Sequence, residues 1–237
     1  MENGTNNQVT QNIRRYEDGV FVEREDTILK EQKLAISVDG TLVDTLTCTA
    51  GHLDELALGY LFSNGLVTTL EVIQSLVIEG DTAYAKTVEV PLETRNPKKT
   101  TPVEKVKGKA GDWDPVDILR NANLLLSNST LFRETGNVHS VMFCRGAKVL
   151  CFSEDVDRFN AFYKCLGQAL KAGEDLSTVC AYTSGRIPST LVQRVIRSGL
   201  TMLVSRSAPT DAALKLAREH SITIIGFAKG TSFNLYE

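Results

Sequence analysis

Three short segments carry more small polar and basic residues than a fold alone requires: Thr183-Ser184-Gly185-Arg186, Ser205-Arg206-Ser207-Ala208-Pro209-Thr210 and Phe227-Ala228-Lys229-Gly230-Thr231-Ser232. Each follows an apolar run that reads as a β-strand, and the second also opens a helix. In open α/β sheets the crevice beyond the carboxyl ends of the strands is where ligands bind. Hydroxyls, glycine amides and a helix N-terminus suit phosphate, with Arg186, Arg206 and Lys229 supplying charge. The alternative is plain capping, because Ser, Thr and Pro are routine at helix starts. Three such segments on successive strand ends point to a phosphate-bearing ligand.

His139 precedes another strand in Gly136-Asn137-Val138-His139, with no second histidine or carboxylate at metal-ligand spacing. Glu154 and Asp155 stand at a strand-to-helix junction, where N-terminal capping explains them, and Arg158 and Lys164 lie downstream. The chain has no Walker loop, no Gly-x-Gly-x-x-Gly, no Gly-x-Ser-x-Gly and no His-Glu-x-x-His. Their absence removes the common nucleotide hydrolases, dinucleotide dehydrogenases, serine hydrolases and zinc proteases. The five cysteines, Cys48, Cys144, Cys151, Cys165 and Cys180, include no Cys-x-x-Cys pair, so neither a disulfide framework nor a thiolate zinc site is expected. Cys144, Cys151, Cys165 and Cys180 read as small core hydrophobes. Cys48 stands just before a helix whose N-terminus could lower its pKa, and a buried packing role is the alternative.

These residues need elements to position them. Leu34, Ile36 and Val38 alternate with polar residues, Asp39-Gly40 supplies a hairpin turn, and 42–48 forms the return strand. Helical spacing predicts α-structure over 53–62, and a second hairpin turns at Glu79-Gly80-Asp81. From Glu93 to Asp112 lysines, prolines and glycines predominate, which reads as a mobile, solvated linker or as an electrostatic guide for an anionic ligand. Beyond it, helices over 116–126, 156–170, 188–197 and 211–219 alternate with strands over 178–182, 200–204 and 222–227, after a hairpin at Arg145-Gly146. That alternation predicts β-α-β crossovers and a helix-covered sheet. The expected organisation is a disordered lead-in (1–12), a β-rich part (13–92), the lysine-rich loop (93–112) and an α/β core (113–237).

The chain has 237 residues, 42% hydrophobic and 23% charged, with a net charge of -3, ordinary values for a globular protein. Nothing in that balance points to nucleic acid or an anionic membrane. The polar start lacks a secretory core and no apolar run could span a bilayer, so a cytoplasmic location is expected.

The run Cys48-Thr49-Ala50-Gly51-His52-Leu53-Asp54-Glu55-Leu56-Ala57-Leu58-Gly59 resembles the Cys-Thr-Pro-Gly…Glu-Leu-Ala-x-Gly segment of the FdhD/NarQ family. Thr135 to His139 resembles its Thr-Gly-Gly-x-His, and Glu154 to Ala161 its Glu-Asp-Val-Gly-Arg-His-Asn-Ala. Ser184-Gly185-Arg186 and the 205–210 segment match, and the ending from Gly226 to Tyr236 resembles Gly-Phe…Asn-x-Tyr. The matches run in order from about residue 34 to the C-terminus. The resemblance implies an α/β fold with a cytidine-deaminase-like three-layer core, joined here to a mainly β N-terminal subdomain. It further implies a homodimer that carries sulfur from a cysteine desulfurase to the molybdenum bis(molybdopterin guanine dinucleotide) cofactor, before insertion into formate dehydrogenase. The guanine nucleotide ends, or a GDP-like ligand, would bind near the C-terminal strand. The candidate cofactor-binding set is therefore His139, Ser184, Arg186, Ser205, Ser207, Thr210, Phe227, Ala228, Lys229, Gly230, Thr231, Ser232 and Asn234. Val141 stands where a deaminase has its glutamate, so zinc chemistry is not expected.

The departures are specific. The family's sulfur rides as a persulfide on a Cys-x-x-Cys loop, and the corresponding stretch here, 93–112, has no cysteine. Asp157, Phe159 and Tyr163 replace the family's glycine, histidine and aspartate; Asn137 replaces a glycine and Asn64 a glutamate. Either Cys48 takes over as the carrier thiol, or the chain is a divergent homologue that binds a guanine-nucleotide-type cofactor or partner without transferring sulfur.

Overall fold

The structure, a computed structural model, describes residues 7–88 and 113–236. The lysine-rich stretch 93–112 and residues 1–6 of the expected lead-in lie outside the described residues. The rest of that lead-in is not weakly ordered: β1 (Gln8–Glu17) and β2 (Val20–Leu29) form an antiparallel hairpin. Asp18 and Gly19 turn it, both at positive φ, the geometry that Asp-Gly favours in tight hairpins. Ladder pairing orders it despite weak alternation, since Tyr16, Val20 and Phe21 stay exposed.

A four-stranded sheet follows, in the order β4-β3-β6-β5, from β3 (Gln32–Val38), β4 (Thr41–Cys48), β5 (Ile73–Glu79) and β6 (Thr82–Thr87). Between β4 and β5 runs α1 (Leu53–Ser63), whose Leu56, Ala57 and Leu61 are buried with Leu34 and Ile36 of the sheet. The turn into α1 is tight: Gly51 and His52 both adopt positive φ, leaving Cys48 on the strand rather than at the helix start.

The C-terminal part holds a six-stranded sheet, ordered β12-β11-β10-β9-β7-β8. Helix α2 (Pro115–Ser127) is capped by the Asp114 side chain, and α3 (Thr130–Thr135) is a short helix that the sequence reading missed. Next come β7 (His139–Arg145), β8 (Lys148–Asp155), α4 (Arg158–Lys171), β9 (Cys180–Thr183), α5 (Ser189–Arg197), β10 (Met202–Ser205), α6 (Asp211–Glu219), β11 (Thr223–Lys229) and β12 (Ser232–Tyr236). Strands β9, β10 and β11 are parallel, as the β-α-β reading requires, and β7 runs antiparallel to β9. Phe227 to Ser232 is not a free loop beyond a strand: it ends β11, turns at Gly230-Thr231 and enters β12.

The sheet lies between two helical layers. Ile118, Ala122 and Leu125 of α2 pack on Met142, Tyr182, Val204 and Ile225, while α4, α5 and α6 cover the opposite face. This is an α/β three-layer core, and its link to the N-terminal part is the packing of α1 on α4. A side chain on Gly59 would collide with the Tyr163 backbone, and one on Gly167 with the Glu55 backbone. The two helices therefore approach so closely because each presents a glycine to the other.

Among the described residues no helix is long and apolar enough to cross a membrane.

Candidate functional site

The carboxyl ends of β9 and β10 meet the amino end of β7. From Thr183 the chain turns through Ser184-Gly185-Arg186: Ser184 donates its N–H to the Ser140 carbonyl at 3.0 Å, and the Ser184 Oγ accepts from the Ser140 N–H at 3.0 Å. Neighbouring turns are stitched together. Arg206 N donates to the Thr183 carbonyl at 3.2 Å, Ser205 Oγ to the Gly185 carbonyl at 2.6 Å, and Phe227 N to the Ser207 carbonyl at 3.1 Å. Sheet topology thus brings the predicted segments to one edge of the core.

The hydrogen bonds divide their roles. Ser205 is buried, its Oγ also accepting from Ser207 N at 2.8 Å, and Thr210 Oγ1 caps α6 by accepting from Ala213 N at 3.2 Å. Ala228 is fully buried, and Gly230 is tied to α2 by two 2.9 Å bonds with the Asn123 amide. Arg206 spends one donor on the Ala122 carbonyl at 3.1 Å. Ser205, Thr210, Ala228 and Gly230 are thus engaged in capping and packing within the chain. Arg186, Phe227, Lys229, Thr231, Ser232 and Asn234 are exposed, and Ser207 is partly exposed.

His139 is half-buried at the head of β7, its Nδ1 about 3.4 Å from where a Gly185 side chain would begin, with the Arg158 Cβ at 3.6 Å from the same point. Burial lowers its pKa below 6.5; the Arg158 and Arg186 guanidiniums push the same way, and Asp157 opposes them. The positive potential of the two guanidiniums beside His139 suits an anion. Arg158 was not singled out as a ligand residue from sequence; it opens α4, where Asp157 is the cap, accepting from Phe159 N at 2.7 Å.

Asp155, the register partner of His139, belongs to a sealed polar network. Lys164 Nζ meets Asp155 Oδ2 at 2.7 Å, and Asp155 also accepts from Thr49 N, Thr49 Oγ1, Asn160 Nδ2 and Asp157 N. Glu154 takes a different duty from the one expected: it accepts from Leu131 N and Phe132 N, capping α3 rather than α4.

Cys48 lies at the end of β4 rather than at the start of α1. Its side chain is fully buried, and its pKa is pushed up to about 11, first by burial and then by the Asp155 carboxylate, against a smaller opposing pull from Lys164. Burial likewise raises the thiols of Cys144 (to about 12), Cys165 and Cys180. A thiol held protonated is a poor nucleophile.

Four departures noted in the sequence converge elsewhere. Asn64, Asp157, Phe159 and Tyr163 line one cleft of about 570 Å³ with Asp44 and Arg194. Arg194 donates to Tyr163 Oη and Asn64 Oδ1, both at 3.2 Å, and its guanidinium lies over the Phe159 ring at 5.2 Å. The substitutions are mutually fitted. Arg194 itself gave no sequence signal, being one of two arginines on an amphipathic helix.

A model of the FdhD/NarQ family matches residues 29–237. The chain is 32% identical to a sulfur carrier protein FdhD of Listeria innocua, over 95% of each chain. It is 30% identical to one of Bacillus subtilis, over 98% of this chain and 97% of that one. A crystal structure of a protein assigned provisionally as a formate dehydrogenase accessory protein, from Desulfotalea psychrophila, shares the fold with a TM-score of 0.81 at 20% identity. It covers 97% of this chain and 96% of that one.

Proposed function

The chain belongs to the FdhD/NarQ family, and from that premise we propose that it acts in formate dehydrogenase maturation by holding a phosphate-bearing, guanine-nucleotide-type cofactor. One observation carries this reading: the charges of Arg158 and Arg186 both act on half-buried His139, with Gly185 packed beside its ring. The substrate would be the molybdenum bis(molybdopterin guanine dinucleotide) cofactor. Its phosphates would meet the guanidiniums, while Ser184, Ser207 and the exposed β11–β12 residues Lys229, Thr231, Ser232 and Asn234 would orient the nucleotide. Formate dehydrogenase would be the recipient and a second copy of the chain the partner in a homodimer. Titration with GDP tests the site. Arg186→Ala should weaken binding about tenfold or more, the value of one charge-assisted contact in a partly desolvated site, and unchanged affinity would refute it.

A second reading has its own support, since the relatives at 30–32% identity are named sulfur carrier proteins. In it, a cysteine desulfurase hands sulfur to one of the chain's own thiols. Burial and raised pKa values stand against every described cysteine for which a shift is resolved. Peptide mass spectrometry after incubation with a desulfurase and cysteine separates the readings: a sulfur adduct on any cysteine restores the carrier role, and none leaves cofactor binding alone.

A further inference from the structure

Strands β1 and β2, of 10 residues each, pair from Gln8↔Leu29 at the base to Glu17↔Val20 at the tip. At roughly 3.4 Å per residue they make a ribbon about 34 Å long. Of the residues in these two strands only Leu29, at the base, is buried. A bond from Gln8 Nε2 to Glu134 fastens that base to α3. The family model begins at residue 29, so the ribbon precedes the part of the chain that it describes. A two-stranded hairpin is marginal in water by itself and gains stability when one face is packed.

One face of the ribbon is suited to such packing. Alternate rungs share a face, so Val9 and Ile28 at the base, Ile13 in the middle and Val20 at the tip lie on one side. Val9, Val20 and Ile28 are 43%, 58% and 38% exposed. On the same face Asp26 stands on the next rung toward the base from Ile13, and Arg15 on the next toward the tip. This order is self-complementary. A second ribbon laid against this face and reversed about the Ile13 rung brings Arg15 level with the partner's Asp26, and twofold symmetry makes that pairing twice. The same reversal sets apolar Val20 level with the apolar base. Arg24, the register partner of Ile13, would meet its own copy there, but Glu17 of the same chain lies 3.3 Å from it and offsets the charge. Glu17 also lies 3.5 Å from Arg15, an exposed contact that leaves other guanidinium donors open. On the opposite face Tyr16 and Phe21 meet edge to face at 5.2 Å, with the Arg14 guanidinium 4.9 Å from the Phe21 ring centre, which stiffens the tip.

We infer that this face docks a second copy of the chain, in a twofold contact between two β1–β2 ribbons. The inference rests on the homodimer in the proposed function, gives it a contact surface, and is independent of nucleotide binding. A face two strands wide falls at the small, transient end of interface sizes, so the dimer should exchange readily with monomer.

Sedimentation velocity of the full chain, from about 1 to 100 µM, reads the association. The wild type should dimerise within that range. Arg15→Glu or Asp26→Arg alone sets like charges level with each other at two places in the contact, and each should weaken the dimer about tenfold. The double variant restores opposite signs and should recover the dimer. Within one ribbon the two positions are about 14 Å apart along the strands, so recovery reports a contact between chains and also excludes a folding defect in either single variant. A wild type that stays monomeric would overturn the inference together with the homodimer. A dimer that neither reversal weakens, or that the double variant fails to recover, would overturn the ribbon contact alone. GDP affinity, measured on the same samples, tests the nucleotide reading separately.

Discussion

Lys164 and Asp155 form an ion pair of 2.7 Å with both side chains sealed from solvent. The lysine donates further to the Thr49 carbonyl and hydroxyl, at 3.1 and 2.9 Å, so the pair ties the end of β4 to β8 and to α4. His139 stands on this joint, as the register partner of Asp155 in the β7–β8 ladder.

Breaking that pair from one side leaves an uncompensated buried charge. Lys164→Met should therefore destabilise the protein by about 3–5 kcal/mol. Urea unfolding measures it, and a loss under about 1 kcal/mol would mean that the remaining donors to Asp155 suffice.

Cys48 shares this environment and should be chemically silent. With its pKa near 11, thiolate at about pH 7.5 is roughly 300-fold scarcer than for a free cysteine with pKa about 8.5. Iodoacetamide labelling of the native protein, followed by peptide mass spectrometry, should leave Cys48 unmodified until urea is added.

The contact of α1 with α4 should tolerate no side chain at its glycines. Gly59→Ala places a methyl group against the Tyr163 backbone, which cannot turn aside as a flexible side chain would. A cost of about 1–3 kcal/mol or more is expected from overpacking, read as a lowered thermal midpoint. Gly40→Ala, a position with open space around it but positive φ, separates backbone strain from collision.

The lowered pKa of His139 has a defined consequence for pH. Above about 6.5 the imidazole is neutral in both folded and unfolded chains and contributes no pH dependence. Below that value the unfolded chain takes up the proton first, so stability falls as pH drops toward the lowered folded-state value. Denaturation between about pH 8 and pH 5.5 should show the wild type losing more stability on acidification than His139→Gln.

Much of the architecture could be read before any coordinates. Asp114-Pro115, Asp39-Gly40 and the spacing of Leu53, Leu56 and Leu61 are local signals with local causes, and the elements fall where they place them. The β1–β2 hairpin escaped because most of its side chains stay exposed, so the alternation that marks a half-buried strand is faint, although Asp18-Gly19 announces the turn. The β9 and β10 strand-end segments were legible because small polar residues cluster in them, yet Ser205 and Thr210 serve the backbone. What spacing could not convey was convergence. Arg158 reaches His139 and Gly185 only through the packing of α4 on the sheet, and Asn64 meets Arg194 across 130 residues of sequence. Burial was equally hidden: Cys48 reads as poised before a helix, and the Gly51-His52 turn leaves it in the core.

The most direct measurement is a calorimetric comparison of GDP with guanosine, on the wild type and on the Arg158→Ala/Arg186→Ala double variant. If Arg158 and Arg186 hold phosphate beside His139, the wild type binds GDP at least about tenfold more tightly than guanosine, with affinity falling as salt rises, and the double variant loses that preference. Equal affinity for the two ligands, or a preference for GDP that survives without both arginines, would contradict the account.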